Sequence, residues 1–62
     1  MELRAITEIK TEEEARQMAI DFQEWVSHQD LSYSELADFS GYFETLAQKF
    51  NLTEEFKENG II

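Results

Sequence analysis

The sequence predicts an all-α fold: an antiparallel helical hairpin, a short C-terminal third helix and a short extended N-terminal arm. Three observations carry this. Two capping boxes, Thr11-x-x-Glu14 and Ser32-x-x-Glu35, each open an apolar run at helical spacing. The connection between the runs is short enough to force them antiparallel. Two stop signals, Asn51 and Asn59-Gly60, then bound a last short helical stretch.

In the first helix the Thr11 hydroxyl is placed to accept an orphan backbone N–H, with Glu14 reaching back towards the cap. Glu12, Glu13 and Glu14 sit at the positive end of the helix dipole, and Glu12 faces Arg16 at i+4. Ala15, Met18, Ala19, Phe22, Trp25 and Val26 then share one face. The helix should span 12–28, with His28 near its carbonyl end.

The second helix should span 33–50. Leu31 before the Ser32 cap and Leu36 after it have the arrangement of a hydrophobic staple. Its apolar face runs Leu36, Phe39, Phe43, Leu46, Ala47 and Phe50. Asn51 suits the left-handed residue that closes a helix, and Leu52 suits the apolar contact that follows. Gly41, beside Ser40, costs about 1 kcal/mol against alanine in a helix. A bend or a close backbone approach would justify it, though a tolerated surface glycine serves as well.

Thr53 reads as the cap of a third helix through Glu58. One or two turns are not stable alone, so Phe56, Ile61 and Ile62 should pack on the hairpin. In residues 1–10, Leu3, Ile6 and Ile9 keep a three-residue spacing, while Leu3, Ala5, Thr7 and Ile9 alternate. An extended arm over the hairpin is the favoured reading. The core should draw on Ala15, Met18, Ala19, Phe22, Val26, Leu36, Phe39, Phe43, Leu46 and Phe50.

Composition bounds the function. Residues 1–62 suffice for a single domain, which would bury only about 60 % of its unfolded surface and leave little room for an enclosed active site. There is no cysteine, hence no disulfide, thiolate metal site or cysteine nucleophile. Fourteen acids against five bases give a net charge of −9, which opposes phosphate backbones and anionic lipid. Eight aromatic residues argue against a disordered acidic tail. No apolar run approaches a membrane span or signal core, so the cytoplasm is the expected location.

Catalytic chemistry finds no support. The single histidine, His28, and its neighbour Ser27 project about 100° apart on a helix, and no glycine-rich loop exists. The chain is expected to be non-enzymatic and to carry no cofactor. Asp21, Glu24 and His28 fall at i, i+3 and i+7, a spacing compatible with a divalent ion, but a solvated helix face explains them better, so no metal is expected. The surplus carboxylates read mainly as a solubility device.

Apolar residues off the helix stripes are the stronger hint. Ile20 lies among Glu13, Arg16, Glu24 and Ser27, Trp25 sits at the stripe margin, Tyr42 at the edge of the second stripe, and Tyr33 off it. Such residues are interface anchors, although the arm or third helix could cover Ile20 or Tyr42 instead.

Residues 31–39, 42–47 and 55–62 resemble small acidic proteins of unassigned role from phages and integrated elements of Gram-positive bacteria. The resemblance covers the C-terminal half, implies a genomic context rather than an activity, and assigns no site residues. In architecture the chain also resembles the short acidic helical-hairpin dimers that regulate plasmid copy number. Those bind RNA through a basic face, whereas Arg4, Lys10, Arg16, Lys49 and Lys57 are scattered here. The leading expectation is a protein-interaction module, plausible for a phage or mobile element, that binds a protein partner or forms a homodimer without touching nucleic acid or membrane. The alternative is an acidic nucleic-acid mimic that inhibits a DNA- or RNA-binding protein.

Overall fold

In a computed structural model that describes residues 2–62, three helices follow one another: α1 (Glu12–Val26), α2 (Tyr33–Phe50) and α3 (Thr53–Glu58). Met1, the first residue of the expected arm, lies outside the described residues. Both capping boxes form. Thr11 Oγ1 accepts from the Glu14 N–H at 3.1 Å, and Ser32 Oγ accepts from the Glu35 N–H at 3.2 Å. The two glutamates answer differently: Glu14 Oε2 accepts from the Lys10 N–H at 3.0 Å, and Glu35 Oε1 accepts from the Ser32 hydroxyl at 3.1 Å.

Helix α1 ends two residues before the expected position 28. The Ser27 hydroxyl donates to the Glu24 carbonyl at 2.7 Å, and the next N–H groups, of His28 and Gln29, bond three residues back, to Trp25 and Val26. A local side-chain bond thus competes with the helical ladder and tightens its last turn.

The hairpin is antiparallel, as its ring contacts require. Phe22 packs on Phe39 and Phe43 with centroids 5.0 and 4.8 Å away, while Trp25, further along α1, meets Phe39 at 5.4 Å. Helix α2 is the common support: α1, α3 and the arm all touch it. At its centre Phe43 has no solvent exposure and also contacts the rings of Tyr42 and Phe56.

Both helix stops work by the same device. Asn51 adopts φ 58°, ψ 43°, and the Leu52 N–H reaches back to the Ala47 carbonyl at 2.8 Å. Gly60 adopts φ 75°, and the Ile61 N–H reaches the Phe56 carbonyl at 2.8 Å. Each left-handed residue satisfies a helix-end carbonyl and turns the following apolar side chain inward, so Leu52 and Ile61 are both buried. Thr53, expected as a cap, is instead the first residue of α3, whose N-cap is Leu52 and carries no side-chain cap bond. The end of α2 places Leu52 directly before α3, so no separate cap is needed.

The arm departs from the expected extended form. Residues Ile6–Glu8 make a single 3₁₀ turn, with the Ile9 N–H bonded to the Ile6 carbonyl. The three-residue apolar spacing prevails over the alternating one because the turn puts Ile9 in the core with no exposure, while Leu3 and Ile6 pack partly against it. Lys49 of α2 holds the turn, its Nζ donating to the Ile6 and Ile9 carbonyls at 2.8 Å each.

The buried core contains Ala15, Met18, Ala19, Phe22, Phe43, Leu46 and Ala47 as expected, joined by Ile9, Leu52, Phe56 and Ile61. Val26, Phe39 and Phe50 are only partly buried at its edge. Leu36, expected inside, is 40 % exposed. Its wheel position points towards the core, but Trp25 near the end of α1 already pairs with Phe39, so the first turn of α2 overruns its neighbour.

Two substitutions at glycines should move stability in opposite directions. A Cβ would meet nothing within 4 Å at either Gly41 or Gly60, so only backbone conformation separates them. Gly41→Ala should stabilise by up to about 1 kcal/mol through helix propensity. Gly60→Ala should destabilise by about 1–2 kcal/mol, the cost of a left-handed L-residue. Urea denaturation of both variants checks the signs. Phe43→Ala should cost about 3–5 kcal/mol, which consumes most of the stability typical of such a domain and is read from loss of the cooperative thermal transition.

Candidate protein interface

The two flanks of α2 have different fates. One carries Tyr42 and Lys49, roughly 100° from Phe43 at 100° per residue, and the arm lies against it. The Tyr42 hydroxyl donates to the Arg4 carbonyl at 2.6 Å, and its ring stands edge-on to Phe43. Tyr42 is therefore taken up by the fold, with its phenol partly covered. Burial raises its pKa, which Arg4 opposes and Glu8 reinforces.

The other flank carries Tyr33, Leu36, Ala37, Ser40, Gly41 and Glu44, at i, i+3, i+4, i+7, i+8 and i+11 along the helix. These residues line a shallow depression of about 440 Å³. Tyr33, 89 % exposed, and Leu36 stand at one end of it, while Ala37, Ser40 and Gly41 supply a low floor. Gly41 produces no close approach within the chain, because the space where its Cβ would stand is open.

Of the residues singled out from sequence, Ile20 is 56 % exposed at the rim of a second depression, about 230 Å³, between α1 and α3. The third helix reaches only the neighbouring positions: Arg16 Nε and Nη2 donate to Glu55 at 2.8 and 3.3 Å, and Gln23 Nε2 donates to the Asn59 carbonyl. Trp25 is half-buried against Phe22 and Phe39. Ile20 and Tyr33 line different depressions, so the four candidates do not form one patch. Leu36 and Gly41 complete the α2 flank around Tyr33. The sequence signal for them was the one-turn spacing of Tyr33, Leu36 and Ser40-Gly41.

Charge is distributed as unevenly as apolar surface. Among the described residues, four of the five basic side chains are engaged with their own chain. Arg4 donates to the Glu8 carbonyl and lies 3.7 Å from Glu14, and Lys10 donates to the Thr7 carbonyl. Arg16 pairs with Glu12 at 3.5 Å as expected, and with Glu55; Lys49 holds the arm. Residues 17–48 contain no lysine or arginine but six carboxylates: Asp21, Glu24, Asp30, Glu35, Asp38 and Glu44. Asp21, Glu24 and His28 are all exposed, Asp21 accepts from Gln17 Nε2 at 2.9 Å, and no cluster of three or more metal-ligating side chains occurs among the described residues. Nor, among them, is any helix long and apolar enough to cross a membrane.

Comparison of the chain with protein-family models, with curated proteins and with solved structures gives no match.

The raised Tyr42 pKa fixes a pH dependence. The folded state holds the phenolic proton more tightly than the unfolded chain, so the stability is fully present below the unfolded value near 10 and is lost as pH rises through the folded value. Chemical denaturation repeated across alkaline pH should show stability falling in the parent and falling less steeply in Tyr42→Phe. Parallel slopes would contradict a role for this phenol.

Proposed function

We propose that the chain is a non-enzymatic protein-interaction module, encoded by a phage or mobile element, that engages a protein partner or a second copy through the bare flank of α2. The supporting observation is the grouping of exposed Tyr33 and Leu36 above a small-residue floor. Single exposed apolar residues need no explanation, but two that share a depression offer a partner a concave apolar surface. Tyrosine is a favoured anchor because it brings large amphipathic area at little conformational cost. The element origin draws on the resemblance of residues 31–39, 42–47 and 55–62. The one histidine, His28, lies outside both depressions, which supports a role in binding rather than catalysis.

A second reading, an acidic mimic of nucleic acid, draws on the six carboxylates of residues 17–48 and their lack of a neighbouring base. Such a mimic would bind a basic groove with steep salt dependence and without need of Tyr33.

A photoactivatable side chain at Ser40, on the flank, should yield a discrete adduct in the source cells. The same group at exposed Glu54 on α3 should not. Sedimentation across a concentration series then tells whether the adduct is a second copy. Absence of any Ser40 adduct, or equal adducts from both positions, would overturn the reading. An adduct that persists unchanged in Tyr33→Ser would favour the mimic.

A further inference from the structure

Resting on that reading, we propose that the occupant of the α2 flank is a basic amphipathic helix of another protein. The flank has the form of a helix seat. Its lining residues run from Tyr33 to Glu44 along one helix, a length of about 16 Å at 1.5 Å per residue, which matches three turns of a second helix. The low floor at Ala37, Ser40 and Gly41 admits a close approach, and Gly41 has no neighbour of its own within 4 Å of a Cβ. A helix laid there would present apolar residues at i, i+3 and i+4 to Tyr33 and Leu36.

Charge selects what such a helix carries. Glu44 lines the depression itself, and Glu35 and Asp38 lie on the same helix, within a stretch of 32 residues that holds no lysine or arginine. Arg4, Lys10, Arg16 and Lys49 are occupied with the arm, α1 and α3. Lysines or arginines beside the apolar stripe of the incoming helix would meet these carboxylates without displacing any internal base. A second copy fits worse on two counts. It brings the same six carboxylates and a further charge of −9, so like charges face each other. A stable dimer also buries about 800 Å² per partner, nearly a fifth of the 4338 Å² surface, whereas six residues on one helix offer the footprint of a single helix.

The test uses a synthetic 14-residue amphipathic helix of leucine and lysine, and a control with glutamate at every lysine position, titrated into the isotope-labelled full chain. The lysine peptide should shift amide resonances along the α2 flank between positions 33 and 44, with affinity falling steeply from about 50 to 200 mM salt. The glutamate peptide should not bind. Tyr33→Ser, at a side chain too exposed to matter for folding, should weaken binding about tenfold, as should Gly41→Leu, whose helix content circular dichroism verifies. Shifts located elsewhere, equal binding of the glutamate peptide, or indifference to both substitutions would overturn the proposal. If Ser40 gives its photoadduct while the lysine peptide does not bind, the basic helix alone is overturned. If Ser40 gives none, the interaction reading fails first. A dimer in sedimentation would assign the flank to a second copy and also overturn it.

Discussion

Everything in this fold rests on the burial of Phe43. Its ring is the meeting point of Phe22 from α1, Tyr42 from its own helix and Phe56 from α3, and it has no contact with solvent. A 62-residue chain without cysteine has no covalent means of holding its parts together, and neither the arm nor the six-residue α3 is long enough to persist alone. Each gains order by adding apolar surface to the one helix that all of them touch. The position of Phe43 thereby fixes which sides of α2 are used. The arm takes one flank, α1 and α3 take the core face, and the remaining flank is left to solvent.

The few basic residues extend this logic. Lys49 and Arg4 tie the arm down, and Arg16 ties α3 to α1, through contacts that are only partly shielded from water. Individually such pairs contribute little, about 0–1 kcal/mol. Their larger effect is on distribution: the bases gather where the termini return to the hairpin, and the hairpin's loop end and the free flank keep uncompensated carboxylates. An apolar depression bordered by acid is the surface that follows, and it supports the interaction reading better than net charge alone.

Much of the fold was legible from local pattern. Thr11 and Ser32 announce their helices because a capping hydroxyl acts on N–H groups three residues away, a range that sequence spacing describes fully. Asn51 and Gly60 were readable for the same reason, as was the inward turn of the residues after them. The failures have longer-range causes. Ile9 entered the core because Lys49, forty residues away, holds the 3₁₀ turn. Leu36 stayed outside because α1 stops early, at a hydroxyl–carbonyl bond that periodicity does not register. The candidate surface was half legible: Ile20 and Tyr33 are exposed, Trp25 is half-buried, and Tyr42 is taken by the arm.

The sequence by itself determined where helices begin and end within a residue or two, that they are all there is among the described residues, and that the hairpin turns back on itself. Those properties follow from interactions within four or five positions of each residue. Only the tertiary structure decided which flank of α2 is covered and which is free, because exposure depends on where a neighbouring element ends. Helix α1 ends beside Phe39, and the arm chooses the side of Tyr42. What is left uncovered is Tyr33, Leu36 and the open space above Gly41.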